Sequence, residues 1–74
     1  MSDEELTTMS SREVGARMRK IREQRGISKA DLAARVGATE DQLDAWEAGQ
    51  GVAPYLTIRA IAEALSTTVD AFVG

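Results

Sequence analysis

The chain contains neither cysteine nor histidine among its 74 residues. It therefore cannot form a disulfide, a thiolate or imidazole metal site, or the Ser–His and Cys–His pairs that activate catalytic nucleophiles. Carboxylates on an open helix surface also provide no substrate pocket. We therefore expect a protein that is not an enzyme and binds no metal or other cofactor.

Long apolar runs are missing as well. No stretch approaches the roughly 20 apolar residues that span a bilayer. The first residues include Asp3, Glu4 and Glu5, whereas a secretion signal begins with a basic region. The sequence thus predicts no membrane association and a cytoplasmic location.

A chain of this length is expected to form a single small domain, which buries about 60% of its unfolded surface and needs a compact, helix-rich core. Residues 1–9 have too little apolar content to repay the entropy of ordering. We predict that residues 1–9 form a flexible acidic arm and that residues 10–74 form the domain.

Two short helices joined by a tight turn are predicted between Ile27 and Gly49. Ser28 can cap the first helix, and Gly37 can end it because glycine enters the left-handed conformation without a Cβ penalty. The Thr39-x-x-Gln42 pattern fits a capping box at the start of the second helix. The pattern is that of a helix-turn-helix, with Leu32, Val36, Leu43 and Trp46 pointing inward.

A longer helix is predicted before this unit. Ser10-x-x-Glu13 fits a capping box and Met9 can staple against Val14. The inward stripe is then Val14, Met18 and Ile21.

Two more helices are predicted after the unit. The first follows Pro54, runs to about Leu65 and is expected to point Leu56, Ile58, Ile61, Ala62 and Leu65 mostly inward. Tyr55 either covers the core or faces a partner, and we favour the covering role. A short last helix closes the core with Val69 and Phe72. The predicted fold class is all-α.

Three short motifs carry a family resemblance: Ile21-Arg22-x-x-Arg25-Gly26-Ile27-Ser28, Leu32-Ala33-x-x-Val36-Gly37 and Glu47-Ala48-Gly49. Together they resemble the Cro/repressor-type (XRE-like, lambda-repressor-like) helix-turn-helix family over about residues 14–73. The resemblance implies a compact five-helix lambda-repressor-like domain whose third helix is the recognition helix. It also implies an ion pair between Glu47 and an arginine of the first helix, and a domain that is a monomer or a homodimer.

The predicted recognition helix departs from the expected charge. Residues 40–48 contain four acidic residues and no basic one, a net charge of about −4. Residues 12–25, in contrast, contain six basic and two acidic residues, a net charge of about +4. Glu40 and Asp41 suit the positive end of the helix dipole, but Asp44 stands four and three residues beyond them, where like charges repel. Phosphates would repel all three.

Our leading hypothesis is therefore an antiactivator, which binds a transcriptional activator or another protein with a basic surface and inhibits it by protein contact. An antitoxin-like role belongs to the same class and is not separated from it. The predicted protein-binding residues are Glu40, Asp41, Asp44, Gln42, Ala45 and Ala48.

The alternative is a conventional DNA-binding repressor, dimeric on a pseudo-palindromic site. Its base-reading residues would be Lys29, Thr39, Glu40, Gln42 and Asp44, with Arg17 and Arg19 reaching phosphates. Lys29 could contact a phosphate or simply be exposed. The basic face of the first helix could likewise be a phosphate contact or a solvated surface.

Overall fold

The computed structural model describes residues 11–73, which form five α-helices and no strand. The helices are α1 (Ser11–Gln24), α2 (Lys29–Val36), α3 (Glu40–Glu47), α4 (Tyr55–Ala64) and α5 (Asp70–Val73). The prediction of an all-α, five-helix domain is thus confirmed. The predicted acidic arm, the Ser10 cap and the Met9 staple lie outside the described residues.

The turn between α2 and α3 forms as its sequence predicts. The Ser28 side chain accepts a hydrogen bond from the Asp31 amide at 3.1 Å, and Gly37 ends α2 with a φ of 72°. Thr39 Oγ1 accepts from the Gln42 amide at 3.0 Å, while Gln42 Oε1 accepts from the Thr39 amide at 2.9 Å. This reciprocal capping box satisfies two amides at the start of α3 and fixes where the helix begins.

The core lies where the helices cross: α1 packs against α3 and α5, and α2 packs against α3 and α4. Half-buried apolar side chains at its edge include Ile21, Val36, Trp46 and Val69. The buried apolar residues are Val14, Met18, Leu32, Ala33, Leu43, Ala53, Ile58, Ile61, Ala62, Leu65 and Phe72. The predicted inward stripes therefore meet in one core, apart from two residues of α4.

These two residues are Tyr55 and Leu56, for which the predictions were wrong. The exposed fraction is 74% for Leu56 and 65% for Tyr55. Leu56 precedes the buried Ile58 by two residues, or about 200° around a helix of 3.6 residues per turn, so it lies on the opposite face. Tyr55 is the first helical residue after the N-cap Pro54 and faces solvent instead of covering the core.

Helices α1 and α3 approach closely at Gly15, which is buried. A Cβ atom at this position would overlap the carbonyl oxygen of Trp46 and would lie 2.8 Å from that of Glu47. Glycine is therefore required here by the contact between two helices, although it weakens the interior of α1.

None of the helices in residues 11–73 combines the length and apolarity needed to cross a membrane.

Candidate functional site

Helix α3 is held in the domain by one side and presents the other to solvent. Leu43 and Glu47 are buried and Trp46 is half-buried. Glu40, Asp41 and Asp44 are exposed, and we call these three residues the acidic face. All three carboxylates that the sequence singled out are therefore accessible to solvent.

Asp44 is paired across helices with Lys29 at the start of α2. Lys29 Nζ donates a hydrogen bond to Asp44 Oδ1 at 2.6 Å. This hydrogen bond, followed by the positive charges of Lys29 and Arg19, lowers the pKa of Asp44 below its ordinary value. Asp44 thus has a basic neighbour after all, supplied by another helix rather than by α3.

Glu40 and Asp41 differ from Asp44 in this respect. Neither has an ion-pair partner among the described residues, and both are exposed. They lie in the first turn of α3, which has no basic residue in its last turn. The uncompensated negative charge of the acidic face is therefore concentrated at the N-terminal end of α3.

The other predicted contact residues have less freedom. Gln42 is exposed, but its side-chain oxygen is engaged in the capping box with Thr39. Ala45 is half-buried beside the core residues of α3, whereas Ala48 is exposed at its C-terminal end. Beside the acidic face, these three residues offer a partner the side-chain amide nitrogen of Gln42 and a small apolar surface.

The ion pair implied between Glu47 and the first helix is present, and its partner is Arg22. Arg22 Nε donates to Glu47 Oε2 at 2.7 Å and Nη2 donates to Oε1 at 3.2 Å, in a bidentate arrangement. Arg22 Nη1 also donates to the carbonyl oxygen of Ile27 at 2.8 Å. Both charged side chains are buried, so Glu47 serves the fold and is not part of the acidic face.

Arg17 and Arg19, the predicted phosphate contacts, do not lie on one side of α1. Two residues correspond to about 200° around a helix. Arg17 lines an open groove beside α5 with Lys20, Ile21, Gln24 and Ala71. Arg19 pairs with Glu23 at 3.3 Å and influences Asp44. The structure therefore does not bring these two arginines together.

Sequence reasoning missed the Lys29–Asp44 pair. The two residues are 15 positions apart on different helices, so no helical period relates them. Lys29 and Asp44 also both belong to the DNA-reading alternative, and in the structure they neutralise each other. The described residues contain no group of three or more acidic side chains arranged to hold a metal ion.

Comparison with known proteins identifies the fold. Residues 13–72 match the family model HTH_31, described as a helix-turn-helix domain. Comparison with curated protein sequences finds no match.

Three solved structures are similar to this chain. The restriction-modification controller protein C.AhdI from Aeromonas hydrophila has a TM-score of 0.80 and 26% identity over 84% of this chain and 94% of its own. The clp gene regulator ClgR from Corynebacterium glutamicum has a TM-score of 0.81 and 22% identity over 86% of this chain and 83% of its own.

The third, the cobalt(II) form of HppE, has a TM-score of 0.81 and 28% identity. The match covers 89% of this chain but spans 37% of HppE. The fold thus also occurs as part of a longer protein. Because the family model covers more than half of the 74 residues, the chain belongs to the helix-turn-helix domain family, and the predicted Cro/repressor-type assignment is confirmed.

Proposed function

We propose that this helix-turn-helix protein regulates transcription by protein contact, as an antiactivator whose acidic face binds a basic surface of a transcriptional activator. The observation that supports this most strongly is the pair Glu40 and Asp41, exposed and without an ion-pair partner among the described residues. These side chains occupy the helix that the fold normally offers to DNA.

Electrostatics favour a protein partner for two reasons. A phosphate backbone attracts lysine and arginine and repels carboxylates, and α3 carries no basic residue between Glu40 and Glu47. The two basic side chains bonded to α3 are already engaged, Lys29 with Asp44 and Arg22 with the buried Glu47. A cationic protein surface would instead find two uncompensated carboxylates, and such complementarity speeds association and selects the partner.

Binding by the acidic face could inhibit an activator by covering the basic surface that the activator itself uses. We propose no catalytic role for the chain and a cytoplasmic location shared with the activator. The expected binding site on the activator is a patch of lysine and arginine side chains of about the size of one helix face.

The decisive experiment is affinity capture from the native host with the wild-type protein and a Glu40→Lys/Asp41→Lys variant. We expect the wild type to retain a transcriptional activator and the variant to lose it, while helical circular dichroism persists. A Glu23→Lys/Asp31→Lys variant is the control, because it makes the same change in net charge on α1 and α2 instead of on α3. In the wild type, Glu23 pairs with Arg19 and Asp31 pairs with Arg35, each within its own helix. It should retain the activator. Equal retention by all three proteins would contradict the proposal.

A conventional DNA-binding repressor is the second candidate, favoured by the similarity to C.AhdI, a controller protein, and ClgR, a gene regulator. Fluorescence anisotropy with duplex DNA separates the two functions. Tight binding to a defined site, weakening steeply with added salt, would establish the repressor. We expect instead weak binding that shows no preference for one site and that becomes tighter when Glu40 and Asp41 are reversed to lysine, because two carboxylates that repel phosphates are replaced by cations.

A further inference from the structure

Two basic side chains line the open groove between α1 and α5. Arg17 and Lys20 are exposed, and neither has an ion-pair partner within residues 11–73. No acidic residue from this part of the chain lines the groove. We call this surface the basic groove, and its lining consists of Arg17, Lys20, Ile21, Gln24 and Ala71.

Helical geometry places the α1 residues of the basic groove in one row. Arg17, Lys20, Ile21 and Gln24 are spaced i, i+3, i+4 and i+7, so they share one face of the helix. Ala71 lies across from them on α5. Ile21 and Ala71 are half-buried, so part of their apolar surface remains accessible. The basic groove therefore combines two uncompensated cations with an apolar surface.

This combination indicates the chemistry of a ligand. Carboxylates form charge-assisted hydrogen bonds with arginine and lysine, and an apolar side chain would remove the accessible surface of Ile21 and Ala71 from water. The volume of the groove is about 430 Å³, within the range of roughly 300–1,000 Å³ for ligand sites. Because the groove is open, a small molecule would remain largely in water, whereas a chain segment can run along it.

We propose that the basic groove binds an acidic segment of a partner protein, one in which an apolar side chain such as leucine accompanies the carboxylates. Arg17 and Lys20 hold the carboxylates, and the apolar side chain packs against Ile21 and Ala71. The Gln24 side chain, exposed at the end of the row, can donate a hydrogen bond to the segment.

An acidic protein segment fits this surface better than DNA does. A phosphate backbone has no apolar side chain, so it would leave Ile21 and Ala71 without a contact. DNA binding also depends on many phosphates being neutralised by lysine and arginine, and the basic groove supplies two such residues.

The basic groove and the acidic face lie on different sides of α1. Arg17 and Arg19 are about 200° apart around the helix, and Arg19 is the one whose charge reaches Asp44. The groove consists of residues from α1 and α5, whereas the acidic face consists of residues from α3. Binding in the groove therefore does not depend on the proposed antiactivator function, and the two surfaces can hold different proteins at the same time.

Fluorescence anisotropy of the full chain with two labelled peptides tests this proposal. In the first peptide a leucine is flanked by glutamates, and in the second a serine replaces that leucine. We expect the leucine peptide to bind several-fold more tightly, because only leucine covers the apolar surface of the groove. Since the net charge of the chain is −3, general attraction to an acidic peptide does not explain binding.

Charge reversal locates the binding site. Arg17→Glu/Lys20→Glu should weaken binding of the leucine peptide about tenfold or more, while helical circular dichroism persists. The matched control is Arg35→Glu/Arg59→Glu, which makes the same change in net charge at exposed sites on α2 and α4. It should bind the peptide nearly as tightly as the wild type.

A gain of affinity is expected from a third cation in the row. Gln24→Lys should tighten binding of the leucine peptide, whereas Gln50→Lys, which adds the same charge at an exposed site outside the groove, should have much less effect. These two variants keep the test independent of any loss of folding.

Four outcomes would overturn the proposal. The first is equal binding of the leucine and serine peptides, and the second is equal weakening by the two double charge reversals. The third is displacement of the peptide by duplex DNA at concentrations below those at which unlabelled peptide displaces it, since the groove would then be a phosphate site. The fourth is much tighter peptide binding by Asp3→Asn/Glu4→Gln/Glu5→Gln, since the occupant would then be the acidic segment of the chain itself.

Discussion

Arg22 and Glu47 form a buried, bidentate ion pair that joins α1 to the C-terminal end of α3. The hydrogen bond to Glu47 is the main reason that the pKa of Arg22 is raised above its ordinary value. Because Arg22 also donates to the carbonyl oxygen of Ile27, one guanidinium group connects α1, α3 and the segment before α2. The helix that carries the acidic face is thereby fixed at its far end.

The first prediction concerns the removal of one partner of this pair. Glu47→Ala should destabilise the domain by about 3–5 kcal/mol, because it leaves a buried guanidinium without its counter-ion. Urea unfolding followed by circular dichroism measures this change.

The control for this prediction is the double variant Arg22→Met/Glu47→Leu. It removes both charges and should be clearly more stable than Glu47→Ala, with a residual cost from the unpaired carbonyl of Ile27. If the double variant loses as much stability as the single variants Arg22→Met and Glu47→Leu lose together, the pair does not act as a unit.

The second prediction concerns the pKa of Asp44. Its pKa is lowered by the hydrogen bond and charge of Lys29, so its carboxyl group should remain ionised below the ordinary aspartate value of about 3.9. A carboxyl group with a lowered folded-state pKa stabilises the fold above its unfolded-state pKa, and this contribution is lost as pH falls through the folded-state value.

NMR titration of the Asp44 side-chain carboxyl carbon measures this pKa directly. In Lys29→Met the midpoint should move upward, toward the ordinary value. A midpoint for Asp44 that does not change in Lys29→Met would show that the pair does not form in solution.

The third prediction concerns Gly15. Replacing a helix-interior glycine by alanine ordinarily stabilises a helix by about 1 kcal/mol. At this position the added Cβ overlaps the Trp46 carbonyl, so Gly15→Ala should instead destabilise the domain by about 1–3 kcal/mol.

The matched control is Ala16→Gly, at an exposed site in the same helix. Ala16→Gly should lower the free energy of unfolding by roughly 0.5–1 kcal/mol through helix propensity alone. This value measures how much alanine would stabilise position 15 if its Cβ met no other atom. A thermal unfolding series that finds Gly15→Ala more stable than the wild type would mean that α1 and α3 are farther apart than described.

Much of this fold was predictable because local chemistry determines it. The Ser28 cap, the Gly37 turn and the Thr39–Gln42 capping box depend on residues at most four positions apart, and all three are present. The partner of Glu47 was expected on α1, but which arginine it is depends on the crossing of α1 and α3. Leu56 was predicted to point inward because it is apolar, although the helical period places it on the face opposite Ile58.

The acidic face was predictable in composition but not in its balance of charge. Its three carboxylates follow from the spacing of one helix, whereas the cation that binds Asp44 comes from another helix. Such a contact depends on how α2 meets α3, and the sequence has no period that indicates it. We therefore expect Glu40 and Asp41 to contribute more than Asp44 to the proposed contact with a partner.

The last prediction tests this ranking and rests on the proposed antiactivator function. Glu40→Gln and Asp41→Asn should each weaken binding to the captured activator more than Asp44→Asn does, by isothermal titration calorimetry. The reason is that the Asp44 carboxylate is already held by Lys29 and is less available to a partner than Glu40 and Asp41, which have no ion-pair partner among the described residues. Lys29→Met/Asp44→Asn removes both charges and should bind nearly as well as the wild type. If Asp44→Asn is instead the most damaging change, the activator must displace Lys29 from Asp44 on binding, and Lys29→Met alone would then strengthen the complex.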